Sequence, residues 1–556
     1  MKDHYTAQVA FLDRKIDWLK RSQCMRADDK LYGAVQMLVP RHRSAQSEGV
    51  KVAASFILAY YTPQSAYYHQ DDMLVRAQLA LLYAEKLQNA DGTLDLEQTN
   101  FHDAAETAFA VNAFYPAYTV MQHLNGHTKP EDELDRVISR FLNKAADGII
   151  QGGFHTPNHR WVISAAMASL ARLIERPECL DYMKLFLNEG IDCDAEGEFT
   201  ERSAGVYNIV CDKSLFVLAN ERYMPELYGH ITRNLNMVMQ YFEPDGHINT
   251  MNSTRQDKGM SPEADIYYDC FLAMALKTRD AGFAYMADRM LETLEARACL
   301  DKFAIIEPFS FMHLFLLDDA LIAEQREILC RQPNLNYDHY FKSSGIVRYR
   351  RNDFTMTLVK DMPQFIKLQY ERHTVFVRLA GSFYARGQFV AQKLEQIGSS
   401  YHMSFHDRWG YKRPLSTPQN TSDWRKMDHS KRESVSMQDF DLYVDVTPTD
   451  NGAQLHVRSA GCENVPVKLE FILEPDGHYC SNDVEMVLHK GAYLYQKCTD
   501  AVYQYDDHRE LHIVGGCFAH AYGENMRGTL PGEADNACIA LTAYTPFETE
   551  VSLTFN

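Results

Sequence analysis

From the N-terminus to about Cys330, apolar residues recur at intervals of three and four, the period of a helix with one face in a core. Residues 71–92, DDMLVRAQLALLYAEKLQNADG, read as an amphipathic helix stopped at Asp91-Gly92. Residues 159–178, HRWVISAAMASLARLIERPE, read as another, stopped at Pro177. Residues 105–124, 132–148, 212–242, 262–298 and 311–330 continue the pattern. About a dozen helices with short connections predict stacked antiparallel pairs, closed into an (α/α) toroid or left open as a solenoid. After RQPNLNYDHYFKSSG the period falls to two, with β-branched and aromatic residues in runs such as GIVRYRRNDFTMTLVKD and QDFDLYVDVTPTDNGAQLHVRSAG. Turn signals at Asp450-Asn451-Gly452 and Pro475-Asp476-Gly477 separate these runs, as in an antiparallel β-sandwich. The expected organisation is a helical toroid over 1–335 and a β-sandwich over 336–556, packed closely with a shared cleft.

Composition adds constraints. The 556 residues carry 75 acidic and 56 basic side chains, a net charge of −19. A surface of that sign argues against nucleic acid or anionic membrane as the main partner. It leaves room for a small sugar acid in a locally basic cleft, because screening confines surface charge to about 8 Å. Asp, Arg and Lys interrupt every apolar stretch of MKDHYTAQVAFLDRKIDWLKRSQ, and nowhere does an apolar run approach the roughly 18 residues of a spanning helix. The twelve cysteines are scattered without a CxxC pair. Scattered thiols suit a reducing cytoplasm, the expected location, with a mature secreted form as the alternative.

Several polar clusters precede predicted helices. GGFHTPNHRWV places His155, Asn158, His159 and Arg160 at a helix entry, where free N–H groups and a partial positive charge suit a carboxylate. The plainer reading makes Asn158 an N-cap and His159 a solvated first-turn residue. DCDAEGEFTERSAGVYNIVCDKS carries Glu201, Arg202 and Tyr207, the last an ordinary buried aromatic by default. EPDGHINTMNSTRQDKG brings Asn252, Arg255, Gln256 and Asp257, and QTNFHDAAETAF brings Asn100, His102, Asp103 and Glu106. In a ring of helical hairpins these loops converge at one end. In the β half, LEQIGSSYHMSFHDRWGYKRPL concentrates His402, His406, Arg408 and Trp409, a mixture able to grip a sugar acid, or a solvated hairpin.

Asn-His at a helix entry, an E-x-x-x-x-x-Tyr block about fifty residues later and a β-rich second half resemble the heparinase II/III-like polysaccharide lyases. That resemblance implies β-elimination at a uronic acid in an anionic poly- or oligosaccharide. Asn158 and His159 match the carboxylate-binding pair and Tyr207 the catalytic tyrosine. His402 or His406 matches the family's β-domain histidine, although YHMSFHDRWGY departs from the family segment. Donors around the carboxylate, here Asn158 and His159 with Arg160 or Arg202, would stabilise an enolate-like state. Tyr207 would serve as base and acid, provided cations such as Arg202 and His159 ease its ionisation. Asn100, His102, His155, Glu201, Arg255, Asp257, His406 and Arg408 become substrate contacts. No metal or organic cofactor is needed, and a structural metal in the β half stays open. The expected substrate is an unsulfated or lightly decorated glucuronate oligosaccharide. Alternatives are an unsaturated glucuronyl hydrolase using Asp103, Glu106, Glu201 or Asp269, a sugar epimerase, and a non-catalytic carbohydrate-binding protein.

Overall fold

The computed structural model describes residues 1–35, 47–96, 99–300, 307, 309–506, 508–522 and 526–556. They divide into two compact units, 1–239 with 248–333, and 240–247 with 334–556.

The first unit is helical: α1 (His4–Ser22), α2 (Glu48–Tyr61), α3 (Asp71–Leu87), α4 (Ala104–Leu124), α5 (Lys129–Gln151), α6 (His159–Leu173), α7 (Glu178–Leu187), α8 (Tyr207–Arg222), α9 (Glu226–Met239), α10 (Tyr268–Thr278) and α11 (Ala281–Leu300). Helix α2 packs on α4, α4 on α6 and α6 on α8, while α3, α7, α9 and α11 each back the preceding even-numbered helix. The sequence explains the two rows. Helices α2 and α6 are buried almost all round, as interior helices must be, whereas α5 alternates charged residues with a buried stripe from Leu134 to Ile149. No described helix is long and apolar enough to cross a membrane.

Three long helical patterns break where local chemistry requires it, and 262–298 does so at Arg279, whose φ of 57° is left-handed and separates α10 from α11. Residues 212–242 split into α8 and α9 at Tyr223, whose φ of 54° is left-handed and ends α8. Residues 311–330 form short turns of helix, His313–Leu317 and, after Asp318, Ala320–Glu324 followed by a 3-10 turn at Gln325–Glu327.

The second unit is a pair of antiparallel sheets. One runs, in spatial order, through 485–488, 477–481, 500–504, 510–515, 548–555, 452–461, 434–448, 400–412 and 393–397. The other runs through 493–495, 537–544, 466–473, 373–381, 364–370, 354–359, 346–351 and 337–341, and its 493–495 edge pairs in parallel. Phe354, Leu368, Val377 and Phe471 of this sheet share one core with Leu442, Val457, Val551 and Phe555 of the first. Sheets hydrophobic on facing sides bury that surface against each other.

Residues 240–247 join the β unit although they follow α9 in the chain. Glu243, 4% exposed, accepts hydrogen bonds from Arg348 Nη2 at 2.9 Å, Lys367 Nζ at 3.1 Å and Thr355 Oγ1 at 2.8 Å. A carboxylate so enclosed is stable only with its cations in place, so the ion cluster fixes the segment to the sheet. Glu243→Gln leaves Arg348 and Lys367 buried with one neutral partner. The expected loss is about 3 kcal/mol for the second unit, read as a lowered urea midpoint of the β-sheet circular dichroism signal. An unchanged midpoint refutes this role.

Candidate active site

Short loops join α4 to α5, α6 to α7, α8 to α9 and α10 to α11 as antiparallel pairs, and the longer connections before the even-numbered helices lie at the N-terminal end of those helices. The loops before α4, α6, α8 and α10 therefore gather there. They enclose a cavity of about 340 Å³ lined by Asn100, Asp103, Glu106, Phe109, His155, Thr156, His159, Tyr207, Arg255 and Gln256, among others. The placement follows from chain connectivity, and the residue types are those of an acid-base site.

Tyr207 is the first residue of α8. Its hydroxyl accepts a hydrogen bond from Gln256 Nε2 at 2.5 Å, and the Arg255 guanidinium lies 4.9 Å from the centre of its ring. An arginine over an aromatic face is attracted to its negative quadrupole and puts positive charge beside the phenol. The loop bearing Arg255 and Gln256 is tied down on both sides. Asp257, 1% exposed, accepts from Gly205 N at 3.0 Å and Ser253 Oγ at 2.5 Å, and Thr254 Oγ1 donates to the Glu201 carbonyl at 2.9 Å. Gly205 has to be glycine, since a Cβ there would fall 2.8 Å from Asp257 Oδ2 and 2.9 Å from Pro262 Cγ.

Glu201 links the second pair of loops. Its Oε2 accepts from Asn158 N at 3.1 Å and Asn158 Nδ2 at 2.7 Å, and its Oε1 lies 3.4 Å from Arg255 Nε. Burial raises the Glu201 pKa above the usual carboxylate range against the opposing pull of Asn158 and Arg255. Asn158 occupies the N-cap position of α6 without making a side-chain capping bond. Its other amide hydrogen goes to Thr156 Oγ1 at 3.2 Å. At 1% exposure it lies in the wall and is not among the residues lining the cavity, so its part as a direct carboxylate donor gives way to a positioning one.

His159 corrects two expectations. It is 8% exposed, not a solvated first-turn residue. It is also not a cation: burial, with His155 and Arg255 nearby, pushes its pKa down to about 4, leaving a neutral imidazole at neutral pH. Its ring meets the edges of His155 and Phe109.

The remaining residues divide by location. Asn100 and His155 line the cavity, with Asn100 Nδ2 donating to Asp103 Oδ2 at 2.8 Å. His102 is exposed and engaged with Asp91 at 2.6 Å. Arg160 turns away to Glu189 at 3.2 Å and Asp192 at 3.4 Å, so it is not a donor to this cavity. Arg202 occupies a left-handed turn position, φ 49°, and is not among the lining residues. Asp257 is spent on the loop. Gln256 and Phe109 complete the wall; Gln256 was legible only as one polar residue in a polar loop, and Phe109 as an ordinary helical apolar residue.

In the second unit, His402, His406 and Arg408 lie on the strand Ser400–Lys412. His402 Nδ1 pairs with Asp445 at 2.6 Å, and His456 reaches the other oxygen of Asp445 at 3.3 Å. His406 pairs with Asp441 at 2.7 Å and Arg408 with Asp439 at 3.7 Å. Cross-strand carboxylates thus accompany all three.

No protein-family model and no curated protein matches the sequence. Solved structures do. The chain is similar to a mutant of heparan sulfate lyase HepC from Pedobacter heparinus, with TM-score 0.51 and 12% identity over 92% of this chain and 77% of that one. It is similar to a Paenibacillus xanthan lyase, with TM-score 0.56 and 9% identity over 99% of this chain and 57% of that one. A Streptomyces coelicolor A3 chondroitin AC lyase in complex with chondroitin sulphate gives TM-score 0.51 and 10% identity over 100% and 78%. The helical toroid followed by antiparallel β-sheets is a heparinase-like polysaccharide lyase fold.

Proposed function

We propose that the chain is a carbon-oxygen lyase that cleaves the glycosidic bond at a uronic acid, glucuronate for preference, leaving a 4,5-unsaturated uronate. The observation that carries this reading is Tyr207, its hydroxyl at the cavity wall, with the Arg255 guanidinium over its ring and the neutral His159 lining the same cavity. The fold shared with solved heparan sulfate, xanthan and chondroitin AC lyases supports it.

The difficult step is removal of the proton at C5, which drives charge onto the carboxylate. Arg255 supplies positive charge and His159 an N–H to that group, both fixed before the reaction begins, so they stabilise the developing enolate without reorganising. Tyr207, acting as the phenolate, takes the C5 proton; the C4–O4 bond breaks as the C4–C5 double bond forms, and the resulting phenol gives the proton to the departing O4. Gln256 holds the phenol oxygen in place during both transfers. Asn158 acts from behind the surface. Its bonds to Glu201 and Thr156 set the turn that delivers His159, and Glu201 in turn steadies Arg255. Side chains carry each proton, and the scheme calls on no metal or organic cofactor. Asn100 and His155 are placed to contact the neighbouring sugar.

Three outcomes test this scheme. Tyr207→Phe is expected to lower kcat on glucuronate oligosaccharides by about a thousandfold or more with the melting temperature unchanged, followed by the ultraviolet band of the unsaturated product; near-wild-type elimination would sink the assignment. Asn158→Ala removes the side-chain amide that donates to Glu201 Oε2 and Thr156 Oγ1 and is expected to lower both kcat, by more than about tenfold, and the unfolding midpoint. A change confined to stability would leave Asn158 a purely structural residue. Because the folded pKa of His159 lies below that of the unfolded chain, the unfolded state binds more protons between about pH 6.5 and 4, and stability falls as pH drops through that window. His159→Gln is expected to flatten that slope in urea titrations at successive pH values, and identical slopes would contradict a buried neutral imidazole.

A further inference from the structure

A second cavity, about 430 Å³, adjoins the first, with Glu106, Phe109 and Tyr207 bordering both. It follows α8 from Tyr207 to Val217, about 15 Å at the helical rise. Phe109, Ala113, Val162, Val210, Val217 and Phe311 give its wall an apolar stretch.

Most polar groups along this wall already have partners, although Asn112 Oδ1 has none. Lys213 Nζ donates to Asp269 Oδ2 at 2.7 Å and Ser310 Oγ at 2.8 Å. Ser214 Oγ donates to the Val210 carbonyl at 2.7 Å, Asn112 Nδ2 to the Val162 carbonyl at 2.9 Å and Lys51 Nζ to Glu48 at 3.1 Å. A sugar ring carries a hydroxyl on nearly every carbon, and each one buried without a partner costs free energy. An apolar group needs no partners and gains by leaving water. The size matches as well, since the volume lies within the usual range for a small-molecule pocket.

Resting on the reading of the adjoining site as a uronate lyase, we propose that this cavity binds an apolar, aryl-sized substituent attached to the uronoside. The preferred substrate is then a short glucuronoside bearing an aryl group, with the uronate at Tyr207, His159 and Arg255 and the aryl group along α8. A chain of unsubstituted sugars would leave the cavity's apolar wall unmatched. The same division explains how one chain can hold a charged ring and an uncharged one in continuous space: the arginine and histidine lie at one end and the valines at the other.

The test is calorimetric titration of the wild-type protein with methyl β-D-glucuronide, phenyl β-D-glucuronide and free phenol, repeated on Ala113→Phe. Ala113 is exposed to the cavity, so the added ring fills space without displacing the core. Phenyl glucuronide is expected to bind at least about tenfold more tightly than the methyl compound, and Ala113→Phe to remove that advantage while leaving methyl glucuronide unaffected. Equal affinities for the two glucuronides would overturn the proposal and leave the uronate reading standing. If neither glucuronide binds but phenol binds the wild type and not Ala113→Phe, the uronate reading fails and the apolar cavity stands. Absence of binding by both phenyl glucuronide and phenol overturns the proposal.

Discussion

The buried carboxyl of Glu201 is the contact on which the candidate site depends. One side chain receives the main-chain and side-chain N–H groups of Asn158 at the entry of α6. It faces Arg255 on the loop before α10, and its own carbonyl accepts from Thr254. Three connections that are far apart in the chain are thereby held at fixed distances. A polar group enclosed at this depth is costly unless its partners are complete. That cost makes the arrangement specific, because displacing any one loop strands a carboxyl or an amide.

The electrostatics follow from the same enclosure. Burial penalises charge, so it favours a neutral imidazole at His159 and raises the Glu201 pKa. The Arg255 guanidinium is only partly buried. Positive charge is therefore concentrated at one group, beside the phenol of Tyr207, inside a protein whose net charge is −19.

Much of the architecture could be read from periodicity. Spacings of three and four, then two, reflect helices and sheets that bury one side, and the buried residues of α5 and of the 434–448 strand keep those spacings. The breaks were not readable. Tyr223 ends a helix by adopting a left-handed backbone, which no apolar pattern announces, and 240–247 joins the sheet through ion pairs with residues a hundred positions away. Among the site residues, Asn158, His159, Tyr207 and Arg255 were legible as polar or aromatic residues at helix entries. Their division into wall and surface was not, nor was the turning of Arg160 toward Glu189 and Asp192.

The sequence by itself determined the order of helical and β-rich halves, the loops that hold the polar clusters and the end of the helical unit where they meet. These depend on local periodicity and on the alternation of direction in short-looped helices, both properties of neighbouring residues. Tertiary structure alone decided that His159 is neutral, that Asn158 stands behind the surface and that an apolar cavity continues beyond Tyr207. Each of those rests on burial and on contacts between distant segments, and burial is set by what the rest of the chain packs against a residue, not by the residue or its neighbours in sequence.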